Sequence, residues 1–313
     1  MIDTVLFDMG GTLEDIWVDD ESRHSSIQGV LDILRAHGID LNMDFETTAQ
    51  SINAGWERYG AYQDPRQREL KPEEIWGSFV LTDFGLNEDS VRPYAEELAH
   101  MWEITHYHRT LRPHVKEMLE GLKGLGMKLG VISNTASLYQ VFDVLKDYGI
   151  RDYFQDVTLS SVTGYRKPDP NIFLVSLHQV QSDPASCAYV GDTLSRDVIG
   201  PIRMGFGATF HIDSYLTKLK DTNVPADVKP TYSVKDIYEV YTILKDARVL
   251  MYDKKARTAV AVRALFAAFS RGADQQSANA NIPVFDVCSV ICCFFALFPC
   301  KNPAESICSL RDF

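Results

Sequence analysis

Short apolar runs alternate with segments whose apolar residues recur at helical spacing. Thr4 to Phe7 is apolar and stops at Asp8 and a Gly10-Gly11 turn, the pattern of a buried strand. From about Asp15 to Thr110 the spacing is mostly helical, as in Ile27, Val30, Leu31 and Leu34, then Ala95, Leu98, Ala99 and Trp102. After Arg112 helices and strands alternate. Pro113 opens a helix that runs to about Leu125 and stops at Gly126; Lys128 to Ile132 is a strand ending in Ser133-Asn134, followed by a helix to Lys146. A short strand near Val157 to Leu159 follows, then a helix from Pro170 to Val180 and a strand from Cys187 to Val190. A helix starts near Ser195, a strand runs from Ala208 to Ile212, and a last unit begins at Tyr232 with a helix to about Leu244.

Strands alternating with helices predict an α/β fold, a Rossmann-like parallel sheet covered by helices. The helical block between the first strand and the rest is too long for a loop, so it is expected to be an inserted domain. The expected division is a core of 1–14 and 111–253, a helical cap of 15–110, and a divergent C-terminal extension of 254–313, disordered or interfacial. The insertion follows the strand carrying Asp8, and ligands of open α/β sheets bind at the carboxyl ends of strands. A cap at that place is expected to cover the site.

Composition narrows the function. The chain has 313 residues and a net charge of −12, which excludes a general nucleic-acid binder. Of six cysteines only Cys187 lies in the body, as expected of a reduced, cytoplasmic protein, and it reads as a buried strand residue. The start has no basic segment followed by a long apolar one, so no secretory signal is expected there. The stretch from Lys254 onward is basic and holds Cys288, Cys292, Cys293, Cys300 and Cys308. Its apolar run from Val287 to Phe298 is short of the roughly 20 residues a membrane span needs, so membrane contact is expected at most through this tail. The thiols form no CxxC pair, and the tail is expected to have no role in chemistry.

The predicted strand ends carry the chemistry. The first ends in Asp8, Gly10, Gly11 and Thr12; the second in Ser133 and Asn134; the third leads through Arg166 to Lys167-Pro168-Asp169-Pro170; the fourth ends in Gly191-Asp192, with Asp197 beyond it. Three carboxylates crowded on one rim repel unless a cation joins them. Mg²⁺ shared with a substrate phosphate is such a cation, and Lys167 and Ser133 supply donors for phosphate oxygens.

Together, Asp8-x-Gly-Gly-Thr12-Leu13, Ser133-Asn134, Lys167-Pro168-x-Pro170 and Gly191-Asp192-x4-Asp197 resemble the four motifs of the haloacid-dehalogenase-like (HAD) hydrolase superfamily, over the chain from its first residue to about Leu244. The resemblance implies a Mg²⁺-dependent hydrolase, most simply a phosphatase on a small phosphorylated metabolite, working through an aspartyl-phosphate. It makes Asp8 the nucleophile, with Ser133 and Lys167 on the phosphoryl group. Thr12 and Asn134 join the substrate side. Asp8, the Gly10 carbonyl and Asp192 become the metal ligands, and Asp197 supports Lys167 or the metal. Phosphatases of this family usually carry an acid two residues after the nucleophile; here that position is Gly10, which removes a proton donor typically worth about 10²–10⁴-fold. Glu14 and Asp15 are the candidates to replace it.

Two other readings share the fold: a non-catalytic or regulatory binding protein, and a C–P or C–halogen bond hydrolase. Dehalogenases of the family usually have Tyr at the position of Gly10, and phosphonate hydrolases have Ala and need a cap lysine, for which only Lys71 is present. Within the cap, Arg58, Tyr59, Tyr62, Arg66 and Arg68 form a polar–aromatic group that either touches substrate or is simply solvated. His106 and His108 face different ways on a helix and are not expected to share a metal.

Overall fold

The computed structural model describes residues 1–276. Eight strands appear: β1 (Thr4–Phe7), β2 (Glu14–Trp17), β3 (His108–Leu111), β4 (Lys128–Ser133), β5 (Asp156–Leu159), β6 (Cys187–Gly191), β7 (Ala208–Ile212) and β8 (Tyr232–Val234). Six of them form one parallel sheet in the order β5-β4-β1-β6-β7-β8. From β1 the chain moves outward through β4 to β5, then returns to β6 and moves outward the other way. That reversal leaves a crevice beside the carboxyl end of β1.

Strand periodicity explains why the sheet is covered on both faces. Val5 and Phe7 point to one side and join Val131, Val190 and Phe210 under the helices Val115–Gly124, Gln140–Asp147 and the start of Tyr238–Gln276. Leu6 points to the other side and joins Ile132, Cys187, Tyr189, Phe173 and Leu177, the last two from the helix Pro170–Val180. Each such side chain, fully buried, contributes about 1.5–3 kcal/mol relative to exposure. Cys187 is buried in β6.

The residues between β2 and β3 build a separate apolar cluster. It unites Ile27, Val30 and Leu34 of the helix Asp20–Ala36 with Ile52 and Tyr59 of Phe45–Arg66, and with Leu98 and Trp102 of Ala95–Thr105. Trp56 stacks on Trp102 at 5.0 Å and meets Trp76 edge-on at 5.5 Å. Two carboxylates join this cluster to the loop after β4. Glu103 accepts from the Ala136 amide at 3.0 Å, and Glu96 accepts from the Ser137 hydroxyl at 2.6 Å.

Three features differ from the sequence expectation. First, the stretch from Asp15 to Thr110 is not wholly helical, because β2 and β3 pair antiparallel at its two ends. These are four-residue strands, too short to show alternation, and their pairing is tertiary. Second, the helix expected near Ser195 begins as a wide turn, Leu194–Val198, before the regular helix Ile199–Met204. Third, the last helix does not stop near Leu244 but continues to Gln276, through the composition break at Asp253. Residues 1–250 and the chain from Met251 form two compact units. The five tail cysteines lie outside the described residues.

Gly55 lies where the helix Phe45–Arg66 presses on the turn Trp76–Val80; a Cβ there would approach the Val80 Cα to 2.6 Å and the Phe79 carbonyl oxygen to 2.8 Å. Both neighbours are backbone and cannot rotate away. Replacing a helical glycine with alanine normally gains up to about 1 kcal/mol. Here overpacking of about 1–3 kcal/mol outweighs it. Gly55→Ala is therefore expected to lower Tm by several degrees in thermal unfolding; a raised Tm would contradict this packing.

Candidate active site

Asp8 leaves β1 with its amide donating to the Val190 carbonyl at 2.9 Å, which draws it toward β6 and Asp192. The turn that follows depends on Gly11, whose φ is +87° and where a Cβ would fall 2.2 Å from Asp192 Oδ2. Only glycine satisfies both the dihedral and the space. Arg112 fastens this turn by donating to the Gly11 carbonyl at 2.8 Å and to the Asp213 carbonyl at 2.9 Å.

Lys167 is buried, and its ammonium donates to Asp8 Oδ1 at 2.5 Å, Asp197 Oδ1 at 2.8 Å and the Tyr189 hydroxyl at 3.1 Å. Burial opposes this charge, but Asp197 and Asp8 outweigh burial and hold the lysine pKa above its ordinary value. Asp197 also accepts from the Thr193 amide at 3.1 Å and hydroxyl at 2.6 Å. Against its burial, Lys167 and these bonds hold its carboxyl below the usual range. Its Oδ1 thus meets Lys167 and its Oδ2 meets Thr193.

Asp8 and Asp192 are pushed the other way. Burial is the largest cause for each, and the neighbouring carboxylates add to it, so both pKa values rise, that of Asp192 well above its ordinary value. Asp192 accepts a short hydrogen bond from the Ser214 hydroxyl at Oδ2. Its main-chain carbonyl accepts from His211 Nε2 at 2.9 Å and the Thr217 hydroxyl at 2.7 Å, which fixes the loop after β6.

The three aspartates offer oxygens within 4.8 Å of one another, the one such cluster among the described residues. A single ammonium among three carboxylates leaves two negative charges uncompensated in a buried place. A divalent cation matches that charge and that set of hard oxygen donors. The residues that fit it are Asp8, Asp192 and the carbonyl of Gly10, which accepts no hydrogen bond among the described residues.

The other expected residues fall into two groups. Ser133, at the end of β4, lines the cavity beside Asp8, and its hydroxyl has no hydrogen-bond partner among the described residues. Thr12 and Asn134 hold other groups of the site in place, and Asn134 also lines the cavity. The buried Thr12 hydroxyl donates to Asp8 Oδ2 at 3.3 Å. The Asn134 amide clamps the Lys167 backbone, accepting from its amide at 2.9 Å and donating to its carbonyl at 3.2 Å.

The structure separates Glu14 from Asp15. β2 alternates, so Glu14 and Ile16 turn inward while Asp15 turns out to pair with Arg112 at 2.9 Å. Glu14 lines the cavity with Asp8, and its Oε1 is 3.9 Å from where a Cβ on residue 10 would be. It accepts from Arg109 at 2.8 Å and from the Tyr148 hydroxyl at 2.8 Å. Burial raises its pKa by more than these partners lower it. A side chain at position 10 would also meet Ile16 Cδ1 at 3.0 Å, so Ile16 and Glu14 occupy the room that Gly10 leaves.

The cavity has a volume of about 550 Å³ and is lined by both the sheet loops and the helical cluster. The polar–aromatic group between β2 and β3 does not converge on it. Tyr59 lines the cavity, but Arg58 pairs with Asp83, Arg68 with Asp169, and Arg66 lies over Tyr62. Lys71 does not line it either. His106 meets Ser26 at 3.2 Å and His108 meets Asp19 at 2.9 Å, so the two histidines diverge.

The family model for haloacid dehalogenase-like hydrolases matches residues 2–205, and the chain belongs to that family of hydrolases. It is similar to the bovine (Bos taurus) haloacid dehalogenase-like hydrolase domain-containing protein 3, with 30% identity over 55% of this chain and 68% of that protein. It is also similar to the glyceraldehyde 3-phosphate phosphatase of Methanopyrus kandleri, with 27% identity over 66% of this chain and 82% of the relative. The fold matches the solved 2-haloacid dehalogenase of Pseudomonas syringae, with a TM-score of 0.57 and 22% identity over 79% of this chain and 99% of that one.

The raised pKa of Asp192 has a sign in stability. The folded site keeps this proton to higher pH than the unfolded chain does, so in EDTA its contribution falls as pH rises from the ordinary carboxylate range toward the raised value. Asp192→Asn removes that loss. Its Tm in EDTA is expected to exceed the wild-type value by more at pH 8 than at pH 4.5, with Mg²⁺ stabilising the wild type but not the variant. A Tm difference independent of pH, or equal stabilisation by Mg²⁺, would contradict the assignment.

Proposed function

We propose that this protein is a Mg²⁺-dependent phosphatase of small phosphorylated metabolites that works through an aspartyl-phosphate on Asp8. The observation that carries this reading is the arrangement around Asp8. A carboxylate backed by Lys167 faces a cavity, beside the open Ser133 hydroxyl and within a carboxylate group two charges short of balance. Relatives named as phosphatases, among them the Methanopyrus kandleri protein, support it. We further propose that residues 15–110 act as the cap of a core made of 1–14 and 111–253, that the chain from 254 takes no part in the chemistry, and that the protein is cytoplasmic. Among the described residues no helix is long and apolar enough to cross a membrane.

In this mechanism Ser133 and Lys167 donate to the oxygens of the phosphoryl group, and an Asp8 oxygen attacks phosphorus as the bridging P–O bond breaks. Bound Mg²⁺, held by Asp8, Asp192 and the Gly10 carbonyl, would offset the negative charge that carboxylate and phosphate bring together. The leaving oxygen takes its proton from Glu14, which burial keeps protonated to higher pH than an ordinary glutamate. Water then attacks the aspartyl-phosphate, Glu14 recovers a proton, and phosphate leaves with Asp8 restored. A C–P hydrolase reading lacks its amine, because Lys71 heads a short helix away from the cavity.

Asp8→Asn is expected to abolish phosphate release while circular dichroism still reports a folded chain. Phosphate release by this variant would remove Asp8 as the nucleophile. Glu14→Gln tests the proton donor. A poor leaving group such as an alkoxide needs the proton most, so kcat for an alkyl phosphate is expected to fall about 10²–10⁴-fold and kcat for an aryl phosphate much less. Asp15→Asn is expected to change neither by more than about two-fold. Equal losses on both esters in Glu14→Gln would reduce Glu14 to a structural partner of Arg109.

A further inference from the structure

We propose that the cavity holds a second anion subsite centred on Arg196, so that the preferred substrate bears another anionic group, a carboxylate or a phosphate, on the part that leaves. The inference rests on the phosphatase reading above and deepens it.

Four arginines line the cavity. Arg23 pairs with Asp20, Arg109 with Glu14 and Arg166 with Glu69. Arg196 has neither an ion pair nor a hydrogen bond among the described residues, although it is half-buried in the same cavity as Asp8. None of the acidic residues that line the cavity, Glu57 and Asp64 among them, makes an ion pair with it. A half-buried guanidinium without a counter-charge is a ready partner for one, because its planar donor fork fits carboxylate and phosphate oxygens.

Its backbone is held in advance. The Asp221 carboxylate accepts from the Leu194 amide at 2.7 Å and the Ser195 amide at 3.0 Å. On the other side Asp197 is tied to Lys167 and Thr193. Arg196 therefore projects from a turn fastened on both sides, which lowers the entropy lost when it binds.

The surroundings are polar and unfilled. Tyr107 lines the cavity, and its hydroxyl makes no hydrogen bond among the described residues. Lys220 lines it without an ion pair, and burial first and the nearby Arg196 second lower its pKa against the opposing charge of Asp64. Trp56 Nε1 and Gln63 Oε1, also at the cavity, are sealed from solvent with no partner. Buried polar atoms are nearly always satisfied; an anionic ligand would accept from the Trp56 indole N–H, while Gln63 Oε1, an acceptor, calls for a donor on the same ligand. The reacting phosphoryl group has its own donors in Ser133 and Lys167, so the charge that Arg196 awaits belongs to another part of the substrate.

Three esters of one chain length test this: propyl phosphate, 3-phosphooxypropanoate and propane-1,3-diol bisphosphate, with an aryl phosphate as reference. The wild type is expected to favour at least one doubly anionic ester over propyl phosphate by about 10- to 100-fold in kcat/KM, chiefly through KM, as a charged hydrogen bond predicts. Which ester is favoured distinguishes a carboxylate from a phosphate. Arg196→Gln is expected to collapse that ratio toward one, and Arg196→Lys to retain part of it. A wild type without preference, or an Arg196→Gln variant that loses equally on all three esters, overturns the subsite while leaving the phosphatase reading intact. No phosphate release from any ester, the aryl phosphate included, overturns both.

Discussion

The ammonium of Lys167, buried between Asp8 and Asp197, is the contact on which the rest of the site depends. A lone buried charge is driven to neutralise, and removing one partner of a buried ion pair costs about 3–5 kcal/mol. The lysine can be charged there only because two carboxylates come from loops after other strands. Each of those loops is in turn fixed by its own bonds: Gly11 by its dihedral, Asp197 by Thr193, and the Lys167 backbone by Asn134. One charge balance thus sets the positions of four chain segments far apart in sequence. Counted as one ammonium against three carboxylates, it remains two charges short of neutrality, which is the charge a divalent cation would match.

Carboxylates also join the helical cluster to the sheet. Glu96 and Glu103 accept amide hydrogens from the loop after β4, the loop that carries Ser133 and Asn134. Glu69 accepts from Ser160 at 2.7 Å and pairs with Arg166, next to Lys167. These contacts end on loops rather than on the sheet faces, which are already covered. The helices therefore meet the sheet around its carboxyl edge, and the cavity forms between them instead of being filled by side chains.

Much of this was legible in the sequence. The strand ends at Asp8, Ser133 and Asp192 stood out because fully buried parallel strands read as short apolar runs, and polar residues mark where they stop. The crowding of three carboxylates on one rim called for a cation from charge alone, whereas the particular ligands came from the resemblance. Three features escaped. The β2–β3 pair escaped because four residues carry too little pattern, and the partner lies over ninety residues away. The choice between Glu14 and Asp15 escaped with it, since only strand alternation shows which one turns inward. The unpartnered state of Arg196 could not be read at all, because it is a statement about what surrounds the side chain and not about the side chain.

The position of Glu14 ties the proposed proton donor to the helical block between β2 and β3. Had the acid stood at residue 10, it would belong to the turn after β1 and answer only to the core. On β2 it belongs to a ribbon whose other strand, β3, follows the last helix of the inserted block. Arg109 of β3 pairs with Glu14 and also donates to the Glu103 carbonyl at 2.6 Å, on the helix whose carboxylates reach the loop after β4. Arg109 thus joins the proposed acid to the end of the helix through one guanidinium, and the Glu103 side chain carries the link on to the loop after β4. In the proposed mechanism a displacement of the helix moves the acid with it, since Arg109 cannot keep both contacts otherwise. Proton donation is then strongest in the docked arrangement, where water is excluded and a charge on the leaving oxygen most needs a partner.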